Sequence, residues 1–218
     1  MVELDRMRES LPGKDGADGD LDALTERKKE ILQCAIRLIL EEGMARLTIR
    51  RVAEAAGVST GLVLYHFATK EVLIAESWRL ALVQAREKIR ASVGEVEGRE
   101  LMEAIFRFRF QDDDATRVPW IFWLEYWTHA ARMEDLRVHH SQTYERMQEV
   151  DLAQVRSAVA AGKIREDLDA GMIVDLYHAV FCGLIVKVVL DKESITAQRA
   201  LELGRFFLSL ISPQEPPK

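Results

Sequence analysis

Two stretches of this 218-residue sequence concentrate side chains suited to recognition, and neither is arranged to break a covalent bond. The first is Trp120-Ile-Phe-Trp-Leu-Glu-Tyr-Trp127, which holds three of the four tryptophans. On a helix, Trp120, Trp123 and Trp127 share one face, and Phe122 and Tyr126 form an adjoining ridge. Such a stripe is either the core side of a helix or the wall of a pocket for a small organic effector. With Glu125 nearby, a cation held against aromatic faces is one candidate ligand, and a hydrophobic or acyl molecule suits the same walls. Phe106, Phe110, Tyr177 and Phe181 are expected to complete that pocket.

The second stretch is Thr48 to Lys70, TIRRVAEAAGVSTGLVLYHFATK. It reads as two short helices joined by a tight turn at Ala56-Gly57-Val58. The second helix opens on the small residues Ser59, Thr60 and Gly61. A slim, polar helix tip lets backbone N–H groups approach phosphates and base edges in a major groove. Tyr65 and His66 follow one turn later with hydrogen-bonding side chains, and Lys70 brings an ammonium group to the start of the next helix. Leu62, Leu64 and Phe67 are expected to include the residues that lock this helix onto its neighbour. Arg50 and Arg51 either contact phosphate or form a solvated charged face. A helical hairpin of this size can also serve as a protein-interaction module without DNA.

Other chemistry finds no residue set. His139 and His140 are adjacent and diverge on a helix, while His129 and His178 stand alone. No metal-ligand spacing, phosphate-binding loop or nucleophile-and-base set emerges, so no catalytic residue, metal site or cofactor is assigned and an enzyme is not expected.

The elements that must position these stretches are all helical. Apolar residues recur at helical spacing from Glu26 to a stop at Gly43, with Ile31, Ala35, Leu38 and Ile39 inward. Thr48 caps the next helix, with Leu47 and Val52 as a hydrophobic staple; Gly57 ends it; Ser59 caps the third, with Val58 and Val63 as staple. Further helices are predicted near 70–93, 100–110, from Pro119 in a first turn to about 131, 135–161, 169–190, and from a Ser194 cap to before Pro213. No run alternates at strand period and no repeat occurs. About nine helices make an all-α protein: a three-helix helix-turn-helix domain over 26–72 and a helical-bundle ligand-binding and dimerisation domain over 73–212. Tails over 1–25 and 213–218 flank them, the first rich in Asp, Gly and Glu.

Beyond its pattern, the string from residue 48 resembles the TetR family of bacterial regulators. Thr48, Val52, Ala53, Ala56, Gly57, Val58, Ser59, Gly61, Leu64, Tyr65, Phe67, Lys70 and Leu73 match the family motif, and the preceding helix resembles the family's first. The resemblance is strong over about residues 26–75 and rests on helix pattern elsewhere. It implies that Thr48, Ser59, Thr60, Tyr65, His66 and Lys70 meet DNA. It implies that Gly61 keeps the helix close to the groove, and that a dimer reads an inverted-repeat operator from which a small effector releases it. The tryptophan stretch is similar to the C-terminal domain of choline-responsive repressors of betaine synthesis, which implies a quaternary ammonium effector. The family's last two helices pair with their copies. Here those helices carry Ile173, Leu176, Val180, Leu184, Val188, Leu201, Leu203, Phe206, Phe207 and Leu210.

Charge and composition agree with this reading. The whole chain carries −6, yet residues 27–70 hold eight basic and four acidic side chains, leaving the remainder at −10. Such asymmetry suits one segment that meets a polyanion. The apolar run from Ala179 to Leu190 is too short to cross a bilayer, so no membrane partner is expected. With no secretory leader and only Cys34 and Cys182, both expected as buried thiols, the protein is placed in the cytoplasm.

Overall fold

The computed structural model describes residues 26–94, 96–110, 114–191 and 193–213. Among them are nine α-helices, one 3-10 turn and no strand. The expected tail over 1–25, and all but residue 213 of the tail over 213–218, lie outside the described residues.

The N-terminal helices follow from local signals. Helix α1 (Glu26–Glu42) buries Ile31, Leu32, Ala35 and Ile39. After Gly43 a 3-10 turn (Met44–Arg46) leads to α2 (Ile49–Ala56), where the Thr48 hydroxyl accepts from the Arg51 amide at 3.2 Å. Capping of this kind satisfies a helix-end N–H and contributes about 1 kcal/mol. Helix α2 stops because Gly57 turns left-handed, φ 62°, a conformation that costs other residues strain. Helix α3 (Thr60–Phe67) is capped by Ser59, whose hydroxyl accepts from the Leu62 amide at 3.2 Å. It docks through Val63 and Phe67, both fully buried, whereas Leu64 is exposed and so does not lock it down.

Helix α4 (Lys70–Val93) is capped by Thr69 and joins the two halves of the chain. It packs against α1 and α3 on one side, and against α5 (Gly98–Arg109) and α7 (Glu134–Ala160) on the other. Helix α6 (Asp114–Ala130) touches both halves as well, packing on α1, α7 and α8 (Ala170–Leu190). Helix α9 (Ala197–Ile211) lies along α5 and α8. At that crossing a Cβ on Gly204 would stand 2.6 Å from the Phe106 ring, so glycine there sets how closely α9 and α5 approach.

Three local expectations are corrected. Helix α6 starts at Asp114, so Pro119 falls beyond its first turn. Helix α9 is capped by Thr196, whose hydroxyl accepts from the Arg199 amide at 3.1 Å; Ser194 sits one turn earlier, its amide donating to Asp191. Helix α8 begins at Ala170 and spans 21 residues, long and apolar enough to cross a membrane by length and composition. Ile173, Val174, Tyr177, Phe181, Leu184, Ile185 and Val188 on it are nevertheless inside the protein core.

Candidate nucleic-acid interface and effector cavity

Helices α2 and α3 hold the first site. Their buried sides are small, so the far side of α3 faces outward: Thr60, Gly61, Leu64 and Tyr65 are all exposed, Tyr65 at 83%. Tyr65 stands edge-on to His66, with ring centroids 5.3 Å apart, which steadies a large side chain that nothing else covers. Gly61 is informative by elimination. It sits one residue into the helix, where glycine costs roughly 1 kcal/mol against alanine. An added Cβ would meet only the Ser59 hydroxyl at 3.8 Å, and no positive φ demands glycine there. Nothing within the chain calls for a missing side chain at this point.

The arginines divide. Arg50 and Glu54 pair at 2.8 Å on the exposed side of α2. Arg51 instead binds Glu42 at the end of α1, tying two helices of the head together. Lys70, at the start of α4, is half-buried. Beneath the reading surface, Lys28 lies 5.5 Å over the Phe67 ring.

The second site is a cavity of about 450 Å³ enclosed by α4, α5, α6, α7 and α8. That volume is typical of a small-molecule pocket. Trp123, Trp127, Tyr177 and Phe181 line it. Phe106, Phe110, Trp120 and Tyr126 do not: they form the layer behind its wall. Phe110 meets Trp120 edge-on at 4.9 Å, Phe106 meets Tyr177 at 5.4 Å, and Tyr126 stacks on Trp78 at 4.5 Å. Thus the tryptophan stripe is half core and half wall.

The polar part of the lining came from elements whose sequence gave little warning. Trp78, Arg86 and Arg90 come from α4, Arg109 from α5, and Arg137, His140, Tyr144 and Asp151 from α7. Asp151 accepts from His178 Nε2 at 2.8 Å and pairs with Arg86 at 3.7 Å, while the Tyr144 hydroxyl meets His178 Nδ1 at 2.9 Å. Arg109 is only 8% exposed and its guanidinium lies 4.9 Å over the Trp123 ring. Burial above all lowers its pKa, to about 10; Tyr177 opposes that shift and Arg86 adds to it. Burial likewise raises the Tyr177 phenol well above its ordinary value. One sequence signal for Arg109 existed: it falls seven residues after Met102 and three after Phe106, a charge within a buried stripe.

Glu125 is not part of this cavity. Its Oε2 accepts the Met44 amide at 2.5 Å, and its Oε1 lies 3.4 Å from where a Cβ on Gly43 would stand. It therefore fastens α6 to the 3-10 turn that leads into α2, and the expected cation partner is a link between the two halves. Cys34 and Cys182 are free thiols, half-buried rather than fully buried, with Cys182 on the cavity wall and raised by burial to about 11.

A helix-turn-helix head joined by a long helix to a hollow helical body defines a DNA-binding transcription regulator with a small-molecule chamber. Comparison with known proteins gives the same class. Residues 98–212 match the family model described as BetI-type transcriptional repressor, C-terminal, and residues 31–76 match that of bacterial regulatory proteins, tetR family. The chain belongs to the TetR family of transcriptional regulators, with a C-terminal domain of the BetI type, and is not an enzyme. It is 27% identical over 189 residues to the HTH-type transcriptional regulator BetI of Brucella anthropi, covering 84% of this chain and 92% of that one. Among solved structures, a TetR-family regulator from Rhodococcus sp. has the same fold with a TM-score of 0.78 at 23% identity, over 87% of this chain and all of that one. A regulator from Saccharomonospora viridis, solved in complex with choline, aligns with a TM-score of 0.70 at 23% identity over 88% of this chain and all of that one.

Proposed function

We propose that this regulator is a repressor that binds an inverted-repeat operator as a homodimer and leaves it when a small organic effector occupies the α4–α8 cavity. Residues 26–72 act as the reading head and 73–212 as the effector and dimerisation domain, in the cytoplasm and without a membrane partner. Thr48, Arg50, Ser59, Thr60, Gly61, Tyr65, His66 and Lys70 are assigned to DNA. Arg51 acts through its pair with Glu42, which fixes where α2 starts. The observation that carries the reading is Gly61, a helix glycine with open space around it on the exposed side of α3. Its role lies in what approaches from outside, and a duplex groove is the partner that rewards a bare helix tip.

Dimerisation through α8 and α9 is supported by the apolar surface those helices leave uncovered. Met172, Leu176 and Leu190 on α8, and Phe206 and Leu210 on α9, are exposed. Met172 and Leu176, and Phe206 and Leu210, are each four residues apart and so share a face of their helix. Ile173, Leu184, Val188 and Phe207, from the same helices, are spent on the protomer's own core.

The coupling runs through α4 and α6. Trp78 lines the cavity eight residues, about 12 Å of helix, from Lys70 at the head. On α6, Trp123 and Trp127 line the cavity while Glu125 holds the Met44 amide. An effector that prefers a shifted α6 alters how the heads are held, to the extent of its differential affinity for the two arrangements.

Fluorescence anisotropy with a duplex spanning the DNA upstream of the chain's own coding sequence tests the reading. Gly61→Leu should weaken operator binding by more than about 100-fold, because a base-reading helix held off its groove loses several kcal/mol of contacts. The same change should leave the thermal midpoint unchanged or slightly raised, since leucine is the better helix former. Unaltered DNA affinity in Gly61→Leu would sink the assignment of α3 to the groove.

A further inference from the structure

Of the arginines at the cavity, Arg137 is paired with Glu134, outside the lining, and Arg86 with the one carboxylate that lines it, Asp151. That carboxylate is already taken by His178 and Arg86. Arg109 has no hydrogen bond or ion pair with any described residue, and its Nε is buried without a partner. Leaving a guanidinium buried and uncompensated is costly, and native proteins rarely keep such a group without a use for it. Other lining groups are in the same condition: Tyr177 Oη, Trp78 Nε1 and His140 Nδ1 are buried and unpartnered. Two of these three are hydrogen-bond donors, and the tautomer of the third can make it one. Most of the remaining lining is apolar, including Trp127, Leu82, Ile105 and Met147.

We infer that the effector is an organic anion, a carboxylate with an aromatic or apolar body, whose negative end pairs with the Arg109 guanidinium while its body lies against Trp127 and the apolar lining. A guanidinium receives a carboxylate through two parallel N–H···O bonds, the geometry that makes arginine the preferred partner for this group. A quaternary ammonium ion would enter beside the Arg109 charge, and the one lining carboxylate is already hydrogen-bonded to His178. The inference rests on the cavity being the effector site and names what enters it.

Calorimetric titration of the full-length protein with 4-phenylbutyrate, 4-phenylbutylammonium and choline tests it, since the first two share a body and differ in charge. The carboxylate should bind at least about tenfold more tightly than either cation. Arg109→Met should lose at least about tenfold in carboxylate affinity, while Arg109→Lys keeps part of it. In the unliganded protein Arg109→Met should unfold at a higher temperature, because an unpaired buried charge is gone; a merely structural arginine would give a lower one. If Arg109→Met does not fold, the carboxylate-against-amine comparison on the unaltered chain decides alone. Equal or tighter binding of the amine or choline, or no binding of any probe up to about 10 mM, overturns the anion. The effector reading fails on a different result: a carboxylate that fills the cavity and leaves operator binding unchanged.

Discussion

Replacing Glu125 by alanine should loosen the head from the body, and the cost can be worked from one hydrogen bond. The carboxylate accepts the Met44 amide at 2.5 Å, and Met44 is fully buried. A hydrogen bond to a charged group contributes roughly 1.5–3 kcal/mol, and stranding the buried amide adds to its loss. Glu125 is itself half-exposed, so water can partly replace it and the lower end applies, about 1.5–2 kcal/mol. For a chain of this size each kcal/mol moves the thermal midpoint by about 2–4 °C, so Glu125→Ala should unfold about 3–8 °C below the parent in scanning calorimetry. Glu125→Gln keeps an acceptor oxygen without its charge and should recover about half of that loss. If the link is made in only one of the two head arrangements, its removal should also shrink the ratio of operator affinities without and with effector, by up to about tenfold. A midpoint within about 1 °C of the parent, together with an unchanged ratio, would refute the idea that this bond fastens the head.

Three further outcomes follow from particular contacts. Gly204→Ala would push a Cβ to 2.6–2.8 Å from three atoms of the Phe106 ring, which Phe110, Tyr177 and Phe181 hold in place; it should lose about 1–3 kcal/mol, read as a lower midpoint. Phe206 is 62% exposed on the proposed dimer face. A twofold interface counts each change twice, so Phe206→Glu should weaken association by about a thousandfold or more and sediment as a monomer at micromolar concentration. Burial raises the Cys182 thiol to about 11. At pH 8 only about one molecule in a thousand then carries the thiolate, and alkylation by iodoacetamide, followed by mass spectrometry, should accelerate about tenfold per pH unit up to pH 10. A plateau near pH 8.5 would mean the thiol is not held in an apolar wall.

Much of the head was legible because its signals are local. Thr48, Gly57 and Ser59 act within three or four residues of themselves, so caps and stop could be placed from the sequence and stand where expected. Where two caps competed within three residues, Thr196 displaced Ser194, since an earlier turn closed by Asp191 uses Ser194. The cavity was less legible, because it forms only where five helices cross. The tryptophan stripe was visible, but which of its residues face the hollow depends on the angle at which α6 meets α4 and α8. Glu125 was misread as a cation partner through closeness in sequence to Trp123 and Trp127. Residues two apart on a helix point about 200° from each other, so it was bound to face away from both. Arg109 had a signal, a charge inside an apolar stripe, whereas Arg86, Tyr144 and Asp151 sit on long helices rich in other polar residues, with nothing to set them apart.

Selection from a pool of random duplexes by the purified chain, followed by native mass spectrometry of the enriched complex, tests the account most directly. Two α3 tips presented by one twofold particle should enrich an inverted repeat whose half-sites are a whole number of turns apart, about 10–10.5 base pairs each, with two or a multiple of two chains on each duplex. Enrichment of no sequence, or of a single unrepeated site holding one chain, would contradict it.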